Sequence, residues 1–268
     1  MNARWCSIAI GTLVILSSLP ARSLEIHTDY VYKDQDNDDE VLVMFIAGLG
    51  GEGSWRRLTR FIDSDPDFGC IDYLVYHSPE ESNIAENIGR AQTILGQYRE
   101  DYDQTILVGH SIGGIMIKRA LLIEAGKSPE ERRLPDMVIT FGTPLDVDKF
   151  TVTLFKRLGA RIFWFRLPPL HREVFNLDRI KQINSNWRAE VERSPIKDIR
   201  RVNIFGVDDK IAPSRVEGDS QDTIFIAGDH MGIITPESTS ACSWIVFRTA
   251  VLEPSAIPRE IDCVLPPE

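Results

Sequence analysis

Ser111 lies in a segment whose residue types suit a nucleophile. Residues 105–118 read TILVGHSIGGIMIK, in which an apolar strand-like run ends at Gly-His-Ser-Ile-Gly (109–113) and a helical pattern follows at once. A serine hydroxyl attacks well when it is held on a sharp strand-to-helix turn, and small residues two positions away on each side let the backbone bend. The first N–H groups of the helix carry partial positive charge, so they can stabilise an oxyanion beside the serine. The segment therefore predicts a nucleophile elbow centred on Ser111.

An acid and a histidine that could serve this serine follow later in the chain. Residues 201–206 predict a strand that ends in glycine, and Asp209 lies in the loop after it. Residues 223–227 predict another short strand, and His230 lies in the loop after that one. The order serine, acid, histidine, with each residue just beyond a strand, predicts a catalytic triad of Ser111, Asp209 and His230.

These three residues give the chain a resemblance to the α/β-hydrolase family of esterases and lipases, which runs from about Val41 to Leu252. Phe-Gly-Thr-Pro at 141–144 is similar to the Gly-Thr-Pro that follows the sixth strand in many lipases. The spacing of Trp55, the strand at 73–76 and the later Asp-His-Met-Gly segment most resembles the branch that includes GPI inositol-deacylases. The resemblance implies an α/β-hydrolase fold, with helices on both faces of a mainly parallel sheet and a cap insertion between strands 6 and 7.

The glycine-rich stretch after the third predicted strand resembles the loop that supplies one oxyanion-hole donor in this family. Residues 41–51 read VLVMFIAGLGG, and by position the donor would be the N–H of Leu49. The second donor would be the N–H of Ile112, the residue after the nucleophile. Esterases of this type usually carry His-Gly at the start of the loop, whereas this chain carries Ala47 and Gly48, a change that keeps the backbone donor.

The choice of acid stays open at this point. Asp208 and Asp209 are neighbours, and only one of them can face the histidine. The family's Gly-x-x-Asp loop favours Asp209. An acid that follows the sixth strand, Asp146 or Asp148, is the other alternative.

Two polar residues beside the predicted triad have non-catalytic interpretations. Asp229 precedes His230 directly, and we expect a turn residue there because sequence neighbours rarely point at each other. In the family, the position of His110 commonly packs under the elbow. We therefore expect a buried, hydrogen-bonded imidazole at His110 rather than a second base.

The chain carries none of the spacings that are typical of a metal or nucleotide site. No His/Cys spacing resembles a metal site, and Gly48–Gly53 lacks the lysine of a phosphate-binding loop. We therefore expect no metal and no cofactor. The balance of 30 Lys and Arg against 40 Asp and Glu argues against nucleic acid as a partner, because such binding needs clustered basic residues.

The remaining hydrophobic pattern predicts a scaffold of alternating strands and helices. Strands are predicted at 71–76 and 137–141, a helix at 84–98, and a closing helix at Ser238–Leu252. Strands that alternate with helices imply a mainly parallel sheet that is covered on both faces.

An insertion at about 146–199, between the sixth and seventh predicted strands, is the expected cap. It mixes aromatic and aliphatic residues, including Phe163, Trp164 and Phe165, with several arginines. Apolar side chains over a catalytic serine suit an acyl chain, and basic residues nearby could make peripheral contact with a membrane. The same side chains could instead only pack the cap onto the core.

The N-terminus predicts the compartment. Residues 1–23 combine a short basic start, an apolar stretch at Ile8–Leu16 and a small-x-small end, as a signal peptide does. A mature domain of residues 24–268 would then be secreted or periplasmic, whereas an uncleaved segment would anchor the protein to a membrane. In an oxidising compartment, Cys242 and Cys263 could form a disulfide.

The function that the resemblance implies is hydrolysis of a lipid-like or acyl ester through an acyl-enzyme on Ser111. The same three residues would also permit thioester cleavage or acyl transfer to another acceptor. A catalytically silent lipid-binding or partner-binding protein with the same fold is the alternative outside enzymology.

Overall fold

The computed structural model describes residues 24–26, 30–33, 41–48, 53–79, 81–144, 177–212, 222–256 and 263. Within these residues, eight strands form one sheet in the order β1-β2-β4-β3-β5-β6-β7-β8. The strands are β1 (Leu24–Ile26), β2 (Tyr30–Lys33), β3 (Val41–Ile46), β4 (Ile71–Tyr76), β5 (Gln104–His110), β6 (Met137–Phe141), β7 (Arg200–Gly206) and β8 (Thr223–Ile226). Pairings among β3 to β8 are parallel, and β1 and β2 form an antiparallel edge. The mainly parallel sheet predicted from the sequence is confirmed.

The central strands form because their residues are apolar towards both faces. Every side chain of β3 after Val41 is buried, and all those of β6 are buried. Parallel strands that are covered on both sides need such continuous apolar runs. The bounds predicted for β4 and β6 are those observed, β3 begins at the predicted Val41, and β7 and β8 each differ from the prediction by one residue at one end.

Helices cover both faces of the sheet. They are α1 (Arg56–Ser64), α2 (Ile84–Tyr98), α3 (Ile112–Ala125), α4 (Leu177–Glu190) and α5 (Cys242–Leu252), with short 3-10 turns at Pro66–Phe68, Arg99–Asp101, Pro195–Asp198, Gly232–Ile234 and Pro254–Ala256. One apolar cluster holds the buried residues of α1 and α5, and a second cluster holds those of α2, α3 and α4. No helix in the described part of the chain combines the length and apolar character needed to span a bilayer.

Two of the helices predicted from the sequence differ in how well their starts agree with the structure. Helix α2 begins as predicted because the Asn83 side chain accepts the Glu86 N–H (3.0 Å) and the Glu86 carboxylate accepts the Asn83 N–H (3.1 Å). The closing helix, predicted from Ser238, begins only at Cys242. Ala241 is extended, and its N–H closes a turn onto the Ser238 carbonyl (3.0 Å), so the preceding residues cannot continue the helix.

Helix α4 revises the range predicted for the cap. Its apolar positions Ile180, Ile183 and Trp187 recur at helical spacing and are buried in the core cluster that includes α3. Residues from α4 onwards therefore belong to the layer that covers the sheet, and not to a cap. Residues 145–176, which include the predicted aromatic cluster, lie outside the described residues, as does the predicted signal peptide at 1–23.

A disulfide joins the start of α5 to the C-terminal segment. It links Cys242 to Cys263, whose Cα atoms are 5.6 Å apart. Both residues lie against the apolar cluster that contains Trp244. The bridge that the sequence allowed is therefore present, and it ties the last helix to the chain that follows it.

Candidate active site

Ser111 occupies a sharp turn between β5 and α3. Its backbone has φ 54° and ψ −120°, and it is the one non-glycine residue in the described part of the chain with a positive φ. The Ser111 N–H donates to the Phe141 carbonyl (2.9 Å), and the Ser111 carbonyl accepts the Gly114 N–H (3.1 Å). These bonds fix the turn to β6 on one side and to the first turn of α3 on the other. The predicted elbow geometry is therefore present at residue 111.

Asp209 and His230 meet at the same edge of the sheet. The loops that carry them follow β7 and β8, and the His230 Nδ1 lies 2.7 Å from Asp209 Oδ2. Asp209 is 4% exposed and His230 is 7% exposed. A buried histidine whose Nδ1–H is held by a carboxylate has its other nitrogen, Nε2, available for proton exchange.

Asp209 is held as a carboxylate by several donors. Its Oδ1 accepts the N–H groups of Ile211 (2.8 Å) and Ala212 (2.9 Å), while Oδ2 accepts the bond from His230. Burial alone would raise the pKa of Asp209, but the bond and charge of His230 and the two backbone N–H groups outweigh it and lower that pKa. The carboxylate is therefore ionised when it faces the imidazole.

The other candidate acids do not take this place in the described part of the chain. Asp208 is exposed, whereas its neighbour Asp209 is buried. Asp229 Oδ1 accepts the N–H groups of Met231 (3.2 Å) and Gly232 (2.8 Å), which confirms the predicted turn residue. Asp146 and Asp148 lie outside the described residues.

Gly142, from the Gly-Thr-Pro segment after β6, makes room for the acid and histidine. It has φ 52°, a conformation that favours glycine. A Cβ at this position would lie 3.0 Å from Asp209 Oδ2 and 3.1 Å from His230 Nδ1. A side chain here would therefore press on both partners of the 2.7 Å bond.

One side of the predicted oxyanion hole is described. Ile112 is the first residue of α3, where backbone N–H groups have no partner within the helix. The chain at Gly48 passes against the elbow, since a Cβ there would lie 2.9 Å from the Ser111 Cβ and 3.5 Å from the Ile112 nitrogen. Leu49, the other predicted donor, lies outside the described residues.

Comparison with solved structures decides the fold. The chain is similar to a putative hydrolase from Agrobacterium vitis S4, with TM-score 0.56 and 13% identity over 86% of this chain and 96% of that one. It is also similar to esterase B from Lactobacillus rhamnosis (TM-score 0.55, 14% identity, 84% and 82% covered). A third similar structure is the monoacylglycerol lipase of Paleococcus ferrophilus (TM-score 0.53, 16% identity, 86% and 97% covered). The chain has the α/β-hydrolase fold.

Sequence comparison adds no family to this fold. No protein-family profile matches the chain. Over 107 residues it is 29% identical to the probable DNA-directed RNA polymerase subunit delta of Lactococcus lactis subsp. cremoris (strain SK11), which covers 40% of this chain. The chain spans about half the length of that curated relative, 52%. This match covers only part of each chain at 29% identity, so it does not indicate an activity for this chain.

His110, within the elbow of this α/β-hydrolase fold, makes a contact that the sequence did not predict. It is buried as expected, with its ring edge-on to Trp55 at 6.2 Å between centroids. Its hydrogen-bond partner is the main-chain oxygen of His230, 2.9 Å from Nε2. The two residues are 120 positions apart, so no local sequence pattern signals the contact.

The environment of His110 keeps its imidazole neutral. Burial is the main cause that lowers the pKa of His110 to about 3, and the charge of His230 lowers it further. The hydrogen bond to the His230 carbonyl and the charge of Asp209 act in the opposite direction. At neutral pH His110 is therefore an uncharged group with its proton on Nε2, because a carbonyl oxygen can only accept.

The described residues offer no alternative metal chemistry at this edge. Among them, no group of three or more His, Cys, Asp or Glu side chains is placed to hold a metal ion. The arrangement that the described residues do provide is a serine on a turn, a buried imidazole and an ionised carboxylate. Together these groups can activate a hydroxyl as a nucleophile.

Proposed function

We propose that this protein is a serine hydrolase that cleaves carboxylic esters through Ser111, His230 and Asp209. The observation that carries the proposal is the buried Asp209–His230 hydrogen bond of 2.7 Å, which lies at the edge of the sheet where Ser111 occupies its turn. The esterase and lipase that share the fold support this assignment by analogy.

In the proposed reaction, His230 acts first as a base and then as an acid in each half. His230 Nε2 accepts the Ser111 proton while Oγ attacks the ester carbonyl, and Asp209 holds the imidazole in the required tautomer. The N–H groups of Leu49 and Ile112 stabilise the tetrahedral oxyanion. His230 then donates its proton to the leaving alcohol, which leaves an acyl group on Ser111. A water that is deprotonated by His230 attacks this acyl-enzyme, and His230 returns that proton to Ser111 Oγ as the carboxylic acid leaves.

An apolar acyl group is the substrate part that we propose for this site. The exposed large apolar side chains of the described residues are Ile123, Val207 and Met231. Two of them lie on the loops that carry the proposed site: Val207 (46% exposed) is two residues before Asp209, and Met231 (44%) directly follows His230. Apolar side chains beside a catalytic group favour an apolar ligand. The aromatic residues at 163–165 of the sequence would add to such an apolar surface. We also propose that the segment around them makes peripheral contact with a membrane.

We further propose that the protein acts in a secreted or periplasmic compartment. The Cys242–Cys263 disulfide supports this proposal because such bonds persist mainly where the environment is oxidising. The signal-like residues 1–23 agree with it. Intact-mass analysis of the protein from its host tests the proposal, since cleavage near residue 23 is expected and an intact N-terminus would instead support a membrane anchor.

Replacement of the nucleophile tests the central proposal. Ser111→Ala should lower ester hydrolysis by about 10⁴-fold or more and abolish labelling by a fluorophosphonate, because triad residues act as a unit. Ser243→Ala, at another buried serine on α5, is the matched control and should keep both signals. p-Nitrophenyl esters of graded chain length report the acyl preference in the same assay.

Each outcome of this test is informative. Wild-type protein that neither reacts with the probe nor hydrolyses any ester would support a silent binding protein instead. Labelling of Ser111 without turnover in water would favour acyl transfer to another acceptor. If Ser111→Ala kept more than a tenth of the wild-type turnover, Ser111 would not be the nucleophile.

A further inference from the structure

His110 links the strand that carries the proposed nucleophile to the loop that carries the proposed base. It is the last residue of β5, it directly precedes Ser111, and it is 3% exposed. Its Nε2–H donates to the main-chain carbonyl of His230 at 2.9 Å. The His110 side chain therefore connects the main chain beside Ser111, the proposed proton donor, with the main chain of His230, the proposed acceptor.

Among the described hydrogen bonds of His230 and its loop, the bond from His110 is the one that ties the loop to β5. Asp209 holds the ring through Nδ1, which sets the tautomer but allows the ring and loop to shift together. Asp229 orders the turn after His230 by accepting the N–H groups of Met231 and Gly232. Neither contact ties the loop to β5, whereas the bond from His110 does. An error of about 1 Å in the position of a catalytic group can lower a rate by about 100-fold.

The charge state of His110 suits this role. The rings of His110 and His230 are 4.6 Å apart between centroids, so a second cation here would oppose the imidazolium that forms during the reaction. Burial keeps His110 neutral, and the remaining neighbour described for its ring is the apolar Trp55. The titratable groups that face His110 are therefore His230 and Asp209.

We infer that His110 is a positioning residue, which fixes the main chain of His230 so that its imidazole reaches Ser111. The inference rests on the proposed function of Ser111 and His230. It differs from a role in core packing alone because packing requires a side chain of suitable volume, whereas positioning requires a donor where Nε2 lies.

Two substitutions separate the donor from the volume. His110→Met fills similar space without a donor, and His110→Gln places an amide N–H near the position of Nε2. We expect kcat for an ester to fall about 10-fold to 100-fold in His110→Met with KM changed less than about 3-fold, and to return to within about 3-fold of wild type in His110→Gln.

Thr140→Val is the matched structural control. Thr140 lies on β6, and its hydroxyl donates to Asn203 Oδ1 (2.8 Å) in the buried sheet. The substitution removes one buried hydrogen bond near His110 but none to His230, so Tm should fall while kcat stays at the wild-type value. All kinetics are measured well below the Tm of each variant.

A second readout does not depend on activity. The proton between Asp209 and His230 is expected to give a strongly downfield NMR resonance in wild type and His110→Gln, and to broaden or vanish in His110→Met. Unchanged kcat and resonance in His110→Met, or equal losses in the Met and Gln variants, would overturn the inference. If no protein hydrolysed esters but the resonance followed the donor as expected, the proposed function would fail and the positioning role would stand.

Discussion

Two buried carboxylates lie near opposite ends of the parallel strands and have different partners. Asp209, beyond the carboxyl end of β7, accepts the ring N–H of His230 at 2.7 Å. Asp72, near the start of β4, is 1% exposed and accepts the hydroxyls of Tyr102 (2.6 Å) and Tyr32 (3.1 Å). The two tyrosine hydroxyls are also within 2.6 Å of each other. Both carboxylates are hydrogen-bonded and buried, so burial alone does not distinguish a chemical site from a structural one.

The partner of each carboxylate makes the distinction. An imidazole nitrogen can both accept and donate a proton, so Asp209 is coupled to a group that can act on a substrate. Burial, together with the hydrogen bonds to Asp72 and Tyr32, raises the pKa of Tyr102, and its hydroxyl keeps its proton. The tyrosine cluster can therefore stabilise the fold at one edge but cannot act as a base. The carboxylate that is paired with a group able to transfer a proton therefore lies where the parallel strands end, as the proposed site requires.

Among the substitutions that test this comparison of carboxylates, Asp209→Asn has the largest expected effect. The amide cannot hold His230 in the proposed tautomer, so kcat for an ester should fall about 10⁴-fold. Asp208→Asn is the matched control, because Asp208 is the exposed neighbour of Asp209 and should leave kcat within about 3-fold of wild type. Equal losses in the two variants would show that the loop after β7 does not present Asp209 alone to the histidine.

Asp72→Asn should produce the opposite pattern. Loss of a charged acceptor for a buried hydroxyl should lower the free energy of unfolding by about 1.5–3 kcal/mol. Because Asp72 lies near the other end of the parallel strands, kcat below the Tm should not change. Urea unfolding and ester kinetics on the same preparation measure both quantities. A large drop in kcat with intact stability would remove the contrast between the two carboxylates.

A third expected effect concerns the pH dependence of stability and requires no change in kcat. The pKa of His110 falls from 6.5 to about 3 on folding, so between these values the unfolded chain binds a proton that the folded protein excludes. Stability contributed by neutral His110 is therefore complete above about pH 6.5 and is lost as the pH falls towards 3, by up to about 1.4 kcal/mol per pH unit. His110→Gln should remove this slope in urea unfolding between about pH 6 and pH 4. Parallel curves for wild type and variant would contradict the assignment.

Much of the scaffold could be predicted because it depends on local pattern. The bounds of β4 and β6 and the start of β3 follow from mostly apolar segments, and the elbow follows from the glycine spacing around Ser111. The pairing of Asp209 with His230 could be predicted from chain order, since parallel strands bring their following loops to one edge.

The features that could not be predicted depend on contacts between distant residues. The bond from His110 to His230 joins positions 120 apart, and Tyr32 and Asp72 are 40 apart. The sequence places helix α4 in a cap because its apolar residues suit either a lid or a core layer until their neighbour α3 is known. The start of α5 depends on a single turn at Ser238, which hydrophobic periodicity does not record.

The backbone of Ser111 bears on how such a sequence persists through evolution. A side chain at φ 54° is strained by roughly 1–2 kcal/mol relative to glycine, so folding stability on its own would favour replacement of this serine. If the hydroxyl had no use, replacement of Ser111 by glycine would therefore be favoured, because it would remove this strain. Serine at this position is therefore a residue that the fold alone does not prefer, which agrees with the use of its hydroxyl that we propose.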